Sequence, residues 1–242
     1  MKLFHFDNVD STNDEARQLL SLHSDLIVTA DQQTKGRGRN SHIWKSGISK
    51  DILFSYGKRF QSDNVKIPIF YQACSALAVQ AFLFELLPND VQIAIKYPND
   101  VFVKKQELEG KISGSLLETE YLGQTLSTII VGIGININSG GSSILVQSPV
   151  ISVIDILGHE SNLHQITKRF IDIFSDLISN DQQIVLDQWK TALNLIGKEI
   201  LMINTNKSCI VKSIRSDGLL ICMHSDEEIL VHMGDSIRYP LF

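Results

Sequence analysis

The sequence predicts an α+β fold: a mixed β-sheet domain flanked by helices, followed by a small β-barrel. Three observations carry the prediction. Short apolar, β-branched runs recur through the first half of the chain, bounded by turn residues. Longer helical patterns interrupt them, one from Ile67 to Leu87 and another from about Asn162 to Leu195. Beyond Gly197 the texture changes to a series of short strand-like segments. The expected division is residues 1–195 for the main domain and 196–242 for the appendage.

Taken in order, "DSTNDEARQLLSL" opens a helix, with Thr12 as N-cap and Glu15 three residues on in a capping-box pattern. "LIVTA" reads as a strand that leads into a loop rich in glycine and arginine. "DILFSYGKRF" is another strand. "VQIAIKYPNDVFVKK" and "GKISGSLLETE" are strands on either side of a turn of Lys, Gln and Glu. "TLSTIIVGIGININ" is β-branched and apolar throughout, as a central strand requires. In the tail, "EILMI", "SCIVKSI", "GLLICM", "EEILVHM" and "SIRYP" are strands. Turn residues at Ser216-Asp217-Gly218 and Gly234-Asp235 punctuate them.

Composition bounds the function. With 242 residues, 43% hydrophobic and 20% charged, the chain is an ordinary soluble one with material for a full core. Three cysteines, without CxxC spacing, imply a reducing, cytoplasmic setting and no disulfide framework. The N-terminus has no apolar run of signal-peptide type. Gln72, Ser75, Gln80 and Glu85 interrupt the apolar stretch Ile67 to Leu87, which fits a buried core helix better than a membrane span. A net charge of −5 argues against nucleic acid as a main partner.

Against that acidity, "TKGRGRNSHIW" places Lys35, Arg37 and Arg39 on alternate positions with Gly36 and Gly38 between them. Glycine lets backbone approach a ligand closely, and arginine offers a planar fork for phosphate or carboxylate. The loop reads as a wrap for an anion, or as a solvated basic turn. Two familiar phosphate motifs are excluded. Before Gly110-Lys111, Lys105 replaces the first glycine of a P-loop and Ile112 its Ser/Thr; in "GIGININ", Ile137 replaces the third glycine of a dinucleotide fingerprint.

In "KYPND", Pro98 ends or bends the strand and leaves Asn99 and Asp100 at its tip, as a plain turn would also do. In "EGKISGSLLE", Lys111 alternates with Ser113 and Ser115 while Gly114 thins the wall. This lysine either protects a sheet edge or projects into a site floored by small residues. His159 and His164 lack a third metal ligand, no serine sits in a nucleophile elbow, and Cys74 reads as packing.

In order, "STN" (Ser11, Thr12, Asn13), "QTKGRGR" with Trp44 following, "KYPND", "GKISG" and "GIGININ" resemble the motifs of biotin–protein ligases. The resemblance runs from about Ser11 to Asn138, and the β-rich tail is similar to that family's SH3-like C-terminal domain. It implies a two-step reaction. Biotin's carboxylate attacks the α-phosphorus of ATP, supplied with Mg²⁺, to give biotinyl-5′-AMP and pyrophosphate. A lysine of a biotin carboxyl carrier domain of acetyl-CoA carboxylase then displaces AMP.

By the same resemblance Lys111 and Arg39 are catalytic. Biotin would meet Ser11, Thr12, Asn13, Gln33, Gly36, Arg37, Gly38, Lys111, Gly114 and Gly132. ATP would meet Arg37, Arg39, His42, Trp44, Asn99, Asp100, Lys111 and Asn136. A homodimer is compatible with it. Two positions depart from the pattern: His42 stands where the family has arginine, and Tyr97 where it has tryptophan. Only ten residues precede Ser11, with no helix-turn-helix, so a repressor role is not expected. A lipoate–protein ligase or octanoyltransferase of related fold is the nearest rival, followed by a ligand-binding homologue with impaired catalysis.

Overall fold

The computed structural model describes residues 1–39, 43–60, 66–140 and 149–242. Its main element is a mixed seven-stranded sheet in the order β1-β2-β3-β7-β6-β5-β4. These strands are β1 (Lys2–Phe6), β2 (Asp25–Ala30), β3 (Ile52–Arg59), β4 (Gln92–Lys96), β5 (Asp100–Lys105), β6 (Leu108–Leu122) and β7 (Thr125–Ile135). Only β1 and β2 pair in parallel, joined by helix α1 (Thr12–Leu19) as a parallel connection demands. The run 125–135 is central, as its composition predicts, with three strands on either side.

Alternation along β7 separates two environments. Ile129, Val131, Ile133 and Ile135 enter the large core, where α2 (Pro68–Leu86), α4 (Leu163–Ser179) and α5 (Gln182–Leu193) cover the sheet. Ile130, Gly132 and Gly134 point to the other face, where α1 packs Ala16 and Leu20 on Leu26, Val28 and Ile130. α2 is long and apolar enough to cross a membrane by composition, yet most of that stretch lies inside this fold.

The helical pattern predicted from Asn162 to Leu195 is two helices, because Asn180 and Asp181 break it. The Asp181 carboxylate caps α5 by accepting from the amides of Gln183 and Ile184. The sequence reading omitted β1 and the short helix α3 (Val153–Leu157). It also placed the first N-cap one residue late. Ser11 is the N-cap of α1, while the Thr12 hydroxyl turns inward to Gln33 and Ser55.

The tail folds as a five-stranded antiparallel sheet ordered β11-β10-β9-β8-β12. Its strands are β8 (Glu199–Met202), β9 (Lys207–Ile214), β10 (Leu220–His224), β11 (Glu227–Val231) and β12 (Ile237–Arg238). Its buried residues Ile200, Cys209, Val211, Leu220, Cys222 and Val231 belong to the same hydrophobic cluster as the main core.

The two sheets meet at the turn Tyr97–Asn99. The Tyr97 hydroxyl donates to the Gly218 carbonyl at 2.9 Å, and the Tyr97 amide donates to the Tyr239 hydroxyl at 2.8 Å. From α5, the Trp189 indole donates to the Pro98 carbonyl at 2.9 Å. Burial pushes the phenols of Tyr97 and Tyr239 up to about 12.

Tyr97→Phe should therefore lower stability at neutral pH by about 1 kcal/mol, the cost of one buried hydrogen bond. The folded phenol titrates above its unfolded value of 10.0, so its contribution is whole below pH 10 and is lost as pH rises toward about 12. Urea unfolding should show the gap between native and variant closing across that window.

Candidate functional site

The uncovered part of the α1 face has a floor without side chains. Gly132 and Gly134 on β7 pair with Leu116 and Gly114 on β6, so three glycines lie side by side in the middle of the sheet. Other groups occupy the space their side chains would fill. A Cβ at Gly132 would overlap the Asn13 amide, one at Gly134 the Trp44 indole, and one at Gly114 would stand 2.8 Å from the Lys111 ammonium.

Strict alternation would put Lys111 and Gly114 on opposite faces, since they are three residues apart. A β-bulge resolves this. On β5, Val101 pairs with Ser113 and the next residue, Phe102, with Lys111, leaving Ile112 unmatched. Ile112 enters the core and Lys111 comes to lie over Gly114. The expected alternation of Lys111 with Ser113 and Ser115 is thus corrected: Ser115 bonds Ser75 of α2, and Ser113 donates to the Gly134 carbonyl. Backbone bonds to Pro149 and Ile151 hold Lys111 from its other side.

At one end of the floor lies a chain of polar contacts. Gln33 Oε1 accepts from the Thr12 amide at 2.8 Å and lies 3.1 Å from the Thr12 hydroxyl. Ser55 Oγ is 2.7 Å from Thr12 Oγ1 and 2.6 Å from Asn13 Oδ1. Asn13 Nδ2 donates to Glu118 at 2.8 Å. Three oxygen–oxygen contacts therefore share two hydroxyl protons. The cluster is rich in acceptors and poor in donors. Thr12, Asn13 and Ser55 are buried, as is Ser11, whose side chain makes no capping bond.

The other end carries charge. Lys111 Nζ sits 2.8 Å from Asp100 Oδ1, at the tip of the predicted turn. Buried Asn99 donates to Ser115 and accepts from Arg39, whose second nitrogen pairs at 2.6 Å with Asp235, in the short helical turn Gly234–Ser236 between β11 and β12. Asn136 donates instead to the Ile151 carbonyl, holding the segment that follows Val150.

The glycine-arginine loop closes over this face. Trp44 N donates to the Gly36 carbonyl at 3.0 Å, and Arg37 bridges Ile43. Gly36 is buried, and Gly38 lies half-buried between the two arginines. Arg37 is engaged rather than open. Its fork grips Asp14 through two 2.6 Å bonds and holds that carboxyl below its ordinary range. His42 lies outside the described residues. Among the described residues, the buried Trp44 indole N–H has no partner.

Residues 4–136 match the sequence model of the Biotin/lipoate A/B protein ligase family. The chain belongs to that family.

Curated relatives in the family include the human biotin–protein ligase, 27% identical over 143 residues, or 58% of this chain. The bifunctional ligase/repressor BirA of Bacillus subtilis is 31% identical over 138 residues, or 56% of this chain. The aligned segments span 18% of the human protein and 40% of the Bacillus one. Among solved structures, an Aquifex aeolicus biotin protein ligase in complex with biotin and ATP matches with a TM-score of 0.71 and 22% identity over 99% of both chains. A Leishmania major ligase in complex with biotinyl-5-AMP gives 0.59 and 19%, covering 96% of this chain and 99% of its own. These likenesses establish the fold, including the β-rich tail.

The family motifs thus converge on one face, apart from Asn136, which braces a neighbouring segment. Ser55, Glu118, Asp14 and Asp235 were missed. Ser55 had a faint signal, as the one small polar side chain inside the apolar run "ILFSY". Glu118 closes "EGKISGSLLE", but nothing in sequence says which side chain it meets.

Gly134→Ala should expel the Trp44 indole, since its Cβ would overlap the ring. The fluorescence should shift to longer wavelength with unchanged far-UV dichroism, Trp189 remaining fully buried as the second fluorophore.

Proposed function

We propose that this protein is a biotin–protein ligase, which activates biotin with MgATP and transfers it to a lysine of a biotin carboxyl carrier domain. The observation that carries the reading is the acceptor-rich cluster of Thr12, Asn13, Ser55 and Gln33 at one end of the glycine floor, with Lys111 at the other. A ureido ring brings N–H donors to oxygens that lack protons. The dithiolane of lipoate and the alkyl chain of octanoate bring none, and would leave those groups unpaired.

In the first step a carboxylate oxygen of biotin attacks the α-phosphorus and pyrophosphate leaves. Two anions must meet, and repulsion opposes them unless a fixed cation stands between. Lys111 is that cation, held by Asp100 and by backbone on both sides. Arg39 would turn from Asn99 and Asp235 to phosphate oxygens. Ser11 adds a free hydroxyl beside the ring, and Gly36, Gly38, Gly114 and Gly132 give clearance.

Asn99, Asp100 and Trp44 serve the nucleotide, the unpartnered indole N–H offering it a donor. Asn136 supports that side from behind, and His42 belongs to the same set by its place in the loop. Arg37 locks the loop to α1 over both ligands, excluding water from the mixed anhydride. In the second step the carrier amine attacks the biotinyl carbonyl, and AMP leaves with the bonding electron pair.

Mg²⁺ enters with ATP as part of the substrate and offsets its charge. On this reading residues 1–195 hold the chemistry, and 196–242 brace the turn that carries Asn99 and Asp100. Three free, buried cysteines fit a reducing cytoplasmic setting.

The deciding experiment is pyrophosphate release from MgATP with biotin, lipoate or octanoate as the acid. Release with biotin alone is expected. Release with lipoate or octanoate overturns the assignment of substrate. Lys111→Ala should slow adenylate formation at least ~10²-fold, the scale for losing one fixed charge at a reacting centre; near-native turnover would remove Lys111 from the mechanism.

A further inference from the structure

We infer that Glu118 is a positioning residue that sets the hydrogen-bond polarity of the ring pocket, and with it the preference for a ligand that donates N–H bonds. The inference rests on the biotin reading above and deepens it.

Asn13 can present either end of its amide to Ser55, and the two orientations have nearly the same shape. Glu118 chooses between them. An ionised carboxylate only accepts, so the NH₂ of Asn13 must face it, as the 2.8 Å contact shows. The reversed amide would set oxygen against carboxylate at that distance. With Nδ2 committed, Oδ1 faces the Ser55 hydroxyl at 2.6 Å and takes its proton. The Ser55 hydroxyl also lies 2.7 Å from Thr12 Oγ1, so its one proton is drawn from Thr12 toward Asn13, while the Thr12 hydroxyl donates to Gln33 at 3.1 Å. One charge on β6, two strands in from the sheet edge at β4, thereby fixes the direction of two successive contacts, Asn13 to Glu118 and Ser55 to Asn13.

The carboxylate is itself held in place. Arg17 Nη2 lies 3.2 Å from Oε2, and Arg37 Nη2 lies 3.6 Å from Oε1. Arg37 is fastened chiefly by its two 2.6 Å bonds to Asp14, so the loop stays closed without the Glu118 charge. Glu120, the next carboxylate on the same face of β6, bonds Arg17 at 2.8 Å and provides a matched control outside the polar chain.

The test uses the full-length protein, with biotin KM, ATP KM and kcat from pyrophosphate release and biotin Kd from calorimetry. Glu118→Gln, nearly the same shape, allows the Asn13 amide to reverse. It should raise biotin KM and Kd by about 10- to 100-fold, the worth of one charge-assisted hydrogen bond, with ATP KM and kcat within about twofold of native. Glu120→Gln should leave all of them unchanged.

The double variant Asn13→Asp with Glu118→Gln keeps one carboxylate and one amide but exchanges their ends, returning an obligatory acceptor to Ser55. It should recover biotin affinity to within about threefold of native. Native biotin affinity in Glu118→Gln, an equal rise in ATP KM, or a double variant no better than the single one would overturn the inference alone. Should the single variant fail to fold, the double variant decides by the same threshold. A native protein inert toward biotin would overturn the ligase reading together with the inference.

Discussion

The three adjacent glycines on one face of β6 and β7 are the constraint around which the rest of the molecule is arranged. A sheet is normally covered on both faces by side chains, and removing three of them opens a channel one side chain deep. What fills that space is polar or aromatic and comes from elsewhere: Asn13 from α1, Trp44 from the loop and Lys111 from beyond a bulge. Glycine in a strand interior weakens the strand. The opposite face compensates, with the odd-numbered isoleucines and Val131 of β7 buried under three helices. The strand is stable because of one face, and one other face is therefore free to serve a ligand.

Charge is distributed along this channel with equal economy. Near α1, Arg37 is balanced by Asp14 and, more distantly, by Glu118, so the loop is fastened by ion pairs among protein groups. At the far end, among the described residues, Lys111 and Arg39 each pair with one carboxylate, Asp100 on the turn and Asp235 in the short helical turn Gly234–Ser236 between β11 and β12. A phosphate competes easily with one partly exposed carboxylate, and far less easily with a bidentate grip reinforced by a second acid. The two loop arginines, indistinguishable in sequence, thus divide into a fastener and a cation that a ligand can recruit.

The C-terminal sheet contributes rigidity. Tyr97, Pro98 and Asn99 would be a short exposed turn were they not clasped by Gly218, Tyr239 and Trp189. A Cβ at Gly234 would overlap the Tyr97 carbonyl, so the approach of the two backbones there requires glycine. Because the tail shares its hydrophobic cluster with the main sheet, the turn that carries Asn99 and Asp100 is braced from two directions.

Periodicity and turn residues were enough to read the seven strands' central member, the core helix α2 and the all-β tail, because burial writes a repeat of two or 3.6 into local sequence. Five motifs in order were enough to place the chain in its family. Local sequence was silent on β1, whose exposed alternation resembles a solvated tail, and on α3, which is too short to show a period. It also misjudged which neighbours share a face with Lys111, because a bulge reverses alternation through pairing with another strand and leaves no mark on its own residues.

The sequence by itself therefore determined which elements form and which chemical groups the site contains. The tertiary structure alone decided their orientation: that Lys111 shares a face with Gly114, that Arg37 is spent on Asp14, and that Glu118 meets Asn13. Each of these is a contact between residues distant in the chain or displaced by a register shift, and its energy depends on distance, which no local pattern encodes.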